Sequence, residues 1–233
     1  MSYRNKISLE NKNAVVIGGA GLIGSEVSIA LAEFGANITV LDIDSDRTKN
    51  LQNTLKNKGH TIRTEFIDLS KVETLDEEFS KILNSMNEID VFVNCSYPRP
   101  KKIEAKSFSK VSYEYFGDQV AIHMNSFCWM AKMVADKMLS DRTNGSIIQI
   151  ASIYGVVGQN LSIYEGTGME ENAAYAAIKG GIINFTRQMA SYYGKYNIRI
   201  NTVSPGGIFD NQDEEFVRNY INQTPLKRMG RPE

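Results

Sequence analysis

The sequence predicts an α/β fold: a single domain over residues 1–233, built as a doubly wound parallel sheet with helices on both faces. Three observations carry this expectation. Six short apolar runs rich in β-branched residues alternate with longer segments of helical period. Glycines cluster where the first run meets the first helical segment. No internal repeat, low-complexity tract or Pro/Gly/Ser-rich linker marks off a second unit. The 233 residues, 42% hydrophobic and 23% charged, have the composition of a chain that buries one sizeable core.

Taken in order, strands are expected at 14–17, 38–41, 61–66, 91–94, 146–151 and 198–203. The first helix, 22–34, presents Ile23, Val27, Ala30, Leu31 and Phe34 at spacings of three and four, and Gly35 stops it. Residues 46–58 and 71–86 read as two further amphipathic helices. The stretches 111–139 and 173–193 are longer, and the second is apolar on more than one face. Helices of that kind pack against something besides their own sheet.

Several classes of function are set aside by composition. Lys plus Arg number 26 against 27 Asp plus Glu, a net charge of −1 without the basic excess of a nucleic-acid binder. Cys95, Cys128, His60 and His123 lie apart with no metal-ligand spacing, so neither a metal site nor a disulfide framework is expected. The polar N-terminus lacks the apolar core of a signal peptide, and no run is long enough to span a bilayer. A reduced, cytoplasmic protein is the expectation.

Gly18, Gly21 and Gly24 follow the first strand and open the first helix, whose leading residues are Leu22 and Ile23. Backbone can approach a pyrophosphate closely there, and the helix mouth offers free N–H groups and a favourable dipole. Asp42 ends the second strand eighteen residues after the last glycine, where a carboxylate can accept hydrogen bonds from an adenosine ribose. It would repel a 2′-phosphate, and no Arg or Lys stands in the glycine loop, so NAD is expected over NADP. Arg47 is the nearby cation that could overturn this. Asp68, after the third strand, suits either an adenine edge or a helix N-cap before Lys71.

Tyr175 and Lys179 stand four residues apart, on one side of a helix. A nearby cation favours the phenolate and draws a tyrosine pKa down, which would make Tyr175 a usable acid or base at neutral pH.

With these residues in place the chain resembles the short-chain dehydrogenase/reductase family over nearly its whole length. The glycine triplet, Asp68-Leu69, Asn94, Asn125, Ser152, Tyr175 with Lys179, Asn201 and Ser204-Pro205-Gly206 occur in the family's order. The resemblance implies a Rossmann-like domain and hydride transfer between a nicotinamide and an alcohol or carbonyl carbon. By that resemblance Tyr175 exchanges the proton, and Lys179 holds the nicotinamide ribose and tunes the tyrosine. Ser152 bonds the substrate oxygen, and Asn125 fixes a water in a proton relay. Asn94, Leu69, Pro205, Gly206 and Ile208 fall among the cofactor contacts. Pairing of the two long helices between subunits implies a homodimer or homotetramer.

The chain also departs from the family pattern. Asn94-Cys95-Ser96-Tyr97 makes a bulkier, more polar wall than the family's usual Asn-Asn-Ala-Gly, and Asp210 stands where Thr is common. The glycine spacing is that of the extended, nucleotide-sugar branch. Ending at Glu233, the chain is expected to lack the family's last helix and strand. The segment 153–174, between Ser152 and Tyr175, is longer than the family pattern and carries Tyr154, Gln159, Asn160, Tyr164, Glu165, Thr167, Glu170 and Glu171. So many hydrogen-bonding groups suit a polyhydroxylated or amino-bearing substrate, although loops are polar in any case. Arg99, Lys101, Lys102, Lys106 and Lys110 form a basic run that could receive a phosphate or carboxylate.

The motifs around Tyr97, Ser152, Tyr164 and 204–212 are similar to a bacterial subgroup associated with flagellin modification and surface-polysaccharide biosynthesis. That likeness implies a phosphorylated hexose or amino sugar as substrate. Two other readings stay open: a dinucleotide-binding regulatory or scaffold protein without turnover, and a nucleotide-sugar epimerase or dehydratase. His123, Met130, Met133, Met138 and Trp129 read as packing or subunit contact, and Cys95 as a buried, inert thiol.

Overall fold

The computed structural model describes residues 3–100, 104 and 106–233. After a one-turn helix α1 (Tyr3–Ile7), strands β1 (Asn13–Ile17), β2 (Asn37–Asp42) and β3 (Arg63–Phe66) alternate with helices α2 (Leu22–Glu33) and α3 (Ser45–Asn57). Helix α4 (Leu75–Asn84) leads to β4 (Val91–Asn94), and α5 (Tyr113–Gln119) runs through a π-helical turn (Val120–Asn125) into α6 (Ser126–Ser140). Then come β5 (Ser146–Ile150), α7 (Tyr175–Tyr193), β6 (Arg199–Val203) and α8 (Glu214–Gln223).

All strands are parallel, in the order β3-β2-β1-β4-β5-β6. The order reverses between β1 and β4, where Ile17 pairs with Leu41 on one side and Asn94 on the other. Ligands of such sheets bind in the crevice outside the carboxyl ends of the strands at this reversal.

Burial on both faces explains why the strands read as near-continuous apolar runs. Along β1, Val15 and Ile17 face a core shared with Phe79, Phe92, Met130 and Met138. Ala14 and Val16 face a second core with Ala32, Leu51 and Leu55. The expected strands and long helices are present, with differences in detail. The helix expected at 71–86 begins only at Leu75, because turns closed by Lys71 N–H to Asp68 and Thr74 N–H to Lys71 occupy the residues before it. Asp68 is not a helix N-cap: its Oδ1 accepts from the backbone and hydroxyl of Ser70, at 3.0 and 2.7 Å. Helix α8 stands outside the elements expected from the sequence. Trp129 is not core: it is half exposed on α6 and donates its indole N–H to Asp76 at 2.6 Å.

Candidate active site

The loop from β1 to α2 is shaped by contacts that only glycine permits. Gly18 sits at φ +66°, in the left-handed region, and a Cβ at Gly24 would overlap the Gly18 carbonyl oxygen. Gly21 caps α2 without a side chain, so the first-turn N–H groups at Leu22 and Ile23 have no side-chain cap. The Asp42 carboxylate closes this corner, accepting from Ala20 N–H at 2.9 Å and Asp44 N–H at 3.0 Å. Arg47, the cation beside it, is paired instead with Asp44 at 3.3 Å. Asn94 is fully buried at the end of β4; its Oδ1 holds Ser96, while its Nδ2 has no partner. Leu69 packs its side chain into the core. N–H groups at a helix mouth, a carboxylate beside them and an unpaired buried amide make a corner that suits a dinucleotide.

At the other end of the crevice β5, the turn after it and α7 converge. Ser152 is 5% exposed and caps a 3₁₀ turn (Ile153–Gly155), accepting from Tyr154 N–H at 3.1 Å. A Cβ at Gly155 would lie 2.7 Å from the Lys179 carbonyl carbon. The glycine therefore lets this turn lie directly on α7, so that Ser152 and Tyr175 line one cleft. Tyr175 opens α7, and Lys179, one turn on, donates its ammonium to the Ile150 carbonyl at 3.0 Å.

Electrostatics here differ from the sequence expectation. The Lys179 ammonium lies 5.8 Å from the centre of the Tyr175 ring, yet the phenol is raised above its ordinary value. Burial causes the rise, and the Ser152 hydrogen bond opposes it. Lys179 itself is drawn down to about 8 by burial.

A cleft of about 380 Å³ joins these groups and is lined by Ile23, Ser152, Tyr175, Lys179, Pro205, Gly206 and Ile208 among the residues expected to act. Asn125 is not one of them. It is exposed on the outer side of the π turn, whereas His123, two residues earlier, is 3% exposed and meets the Tyr97 ring edge-on at 5.0 Å. Asp210 is likewise exposed. The Cys95 thiol lines the cleft and is pushed up to about 12 by burial, which leaves it protonated.

The 153–174 segment is ordered by its neighbours. Ile163 packs with Phe216, Tyr220 and Met229, and Gln223 donates to Ser162 at 2.9 Å. On the opposite side Lys110 is paired with Glu170, and Phe108 N–H donates to Glu171 at 3.0 Å. Of the basic run, Lys110 is thus engaged with Glu170, Lys106 lines the cleft and Arg99 lies 5.8 Å above the Tyr97 ring. Lys101 and Lys102 lie outside the described residues.

Residues 12–218 match the profile of the short chain dehydrogenase family. The chain belongs to this family. It is therefore an oxidoreductase of CH–OH groups with a nicotinamide cofactor. The post-translational flagellin modification protein A of Campylobacter coli is 30% identical over 222 residues, 95% of this chain and 86% of that one. The 7α-hydroxysteroid dehydrogenase of Bacteroides fragilis is 26% identical over 231 residues, 96% of this chain and 84% of that one. A solved family member from Leptospira borgpetersenii with bound NAD+ is 29% identical and matches with a TM-score of 0.77, covering 100% of this chain and 84% of its own. No described helix is long and apolar enough to cross a membrane.

Proposed function

We propose that this short-chain dehydrogenase uses NAD to oxidise or reduce a sugar-derived alcohol or carbonyl, in the cytoplasm, as a homodimer or homotetramer and without nucleic acid or membrane partners. The observation that carries the reading is the meeting of Ser152, Tyr175 and Lys179 in one cleft at the reversal of the sheet. When bound, the nicotinamide supplies the site that gives or takes a hydride. Ser152 holds the substrate oxygen, and Tyr175 gives it a proton in reduction or takes one in oxidation. Lys179 holds the nicotinamide ribose and keeps positive charge beside the phenol. Gly18, Gly21, Leu22, Ile23 and Gly24 cradle the pyrophosphate, and Asn94, Pro205, Gly206 and Ile208 flank the nicotinamide. Asp42 receives the adenosine ribose, with Asp68 near the adenine. The Asp42 carboxylate and the engagement of Arg47 with Asp44 support NAD over NADP.

A polyhydroxylated ring suits the cleft wall. Tyr97, Tyr154 and Tyr164 offer ring faces to its C–H groups, while Gln159, Asn172 and Gln212 offer amides to its hydroxyls. Lys106 and Arg99 favour an acidic substituent. Such a substrate fits surface-glycan or flagellin-glycan biosynthesis. The test is cofactor reduction with NAD+ against hexose phosphates, amino sugars and nucleotide sugars, with hydroxysteroids and hydroxyacyl thioesters as comparison. Turnover confined to the sugars is the expected result; preference for a steroid or thioester would overturn the substrate class.

A further inference from the structure

We propose that His123 is a positioning residue of this site, whose imidazole accepts a hydrogen bond from the Lys179 ammonium through one water. The proposal rests on the reading of Lys179 given above. Its geometric basis is the π-helical turn Val120–Asn125. A turn that takes one extra residue rotates the succeeding residues by about 100° around the helix axis. Here the result is that Asn125 faces solvent while His123 is carried inward to 3% exposure.

Inside, His123 has an unfinished hydrogen-bonding requirement. Its Nε2 is buried without a partner, which few buried polar atoms in folded proteins are. The imidazole packs against Phe127 with centroids 5.1 Å apart, and the Lys179 ammonium lies 5.1 Å from the centre of that same ring. The ammonium has three donors, of which one is given to the Ile150 carbonyl.

The two groups suit each other electrostatically. Burial and the charge of Lys179 hold His123 well below its ordinary value, so at neutral pH it is an uncharged ring with one acceptor nitrogen. Lys179 shares the cleft with the Cys95 thiol at the end of β4, Tyr175 on its own helix and Tyr97, whose ring His123 meets edge-on from the π turn. Burial raises both Cys95 and Tyr97 to about 12 and pushes Tyr175 above its ordinary value, so these neighbours are neutral too. A buried ammonium among neutral groups is kept charged by acceptors, and His123 brings one.

The test reads Lys179 without any substrate. Protein labelled with 13C at lysine Cε is titrated by NMR, the Lys179 signal being identified from Lys179→Met. His123→Phe is expected to lower the Lys179 pKa by roughly one unit, a tenfold change in its acid constant, while His123→Gln, which keeps an acceptor, holds it near the wild-type value. An unchanged Lys179 pKa in His123→Phe, or an equal fall in His123→Gln, overturns the proposal. Should His123→Phe not fold, the wild-type 15N imidazole spectrum decides, because the chain has only two histidines. The His123 Nε2 signal is expected to move in Lys179→Met, and a signal that stays in place overturns the proposal. Neither readout depends on turnover, so a failure of the proposed function and a failure of this inference are told apart.

Discussion

The hydroxyl of Tyr220 on α8 accepts a hydrogen bond from the backbone N–H of Gly207, which fastens the Pro205-Gly206-Gly207 loop to the lid formed by α8 and the 153–174 segment. Space is tight enough that a Cβ at Gly207 would lie 2.7 Å from the Tyr220 ring carbon Cζ. The 205–207 loop and this lid are therefore one mechanical unit. Tyr220→Phe removes a bond worth about 0.5–1.5 kcal/mol and leaves the chain folded. The NADH dissociation constant, followed by fluorescence titration, is expected to rise roughly two- to tenfold; an unchanged constant would show that the loop holds its place without Tyr220.

The glycine loop yields a paired prediction on stability. Gly24→Ala drives a methyl group into the Gly18 carbonyl, and overpacking of that kind costs about 1–3 kcal/mol. At Gly117, inside α5, an added methyl group would meet nothing within 4 Å, and Gly→Ala within a helix gains about 0.5–1 kcal/mol. Thermal unfolding should fall for the first variant and rise for the second. A rise for Gly24→Ala would remove the packing explanation for that glycine.

Cofactor choice is expected to turn on Asp42. Its charge opposes a 2′-phosphate by about 1 kcal/mol per unit charge at 4 Å in water and more where water is excluded. Asp42→Ala should narrow the preference for NADH over NADPH by roughly tenfold, measured by titration of both dinucleotides. An unchanged ratio would place the discrimination elsewhere.

Lys179 gives a pH signature. In the folded chain it titrates near 8, below the ordinary 10.5 that holds in the unfolded chain. Between these values the unfolded state binds more protons, so this residue makes stability rise with pH across that window. Chemical denaturation of wild type and Lys179→Met should show that slope in the first and its loss in the second. Tyr175, raised by burial, should make alcohol oxidation climb into the alkaline range, because oxidation needs the phenolate and reduction the phenol.

Much of this was legible in the sequence because it depends on local spacing. The apolar run of β1 and the positions of Gly18, Gly21 and Gly24 follow from a buried strand and a tight turn, and Tyr175 and Lys179 follow from one helical turn. Features set by register or by distant contacts were not legible. No periodicity signals the π turn that exchanges Asn125 for His123. The polar 153–174 segment reads as loop because its partners, Phe216, Tyr220 and Met229, lie far along the chain. The rise of the Tyr175 pKa comes from burial, which only the assembled fold supplies.

The central claim is tested most directly by following NAD+ reduction with the sugar panel in wild type and in Tyr175→Phe. Wild-type turnover that disappears in the variant, with NADH binding intact, is the predicted result. Turnover that survives in Tyr175→Phe would contradict the assignment of proton transfer to that phenol.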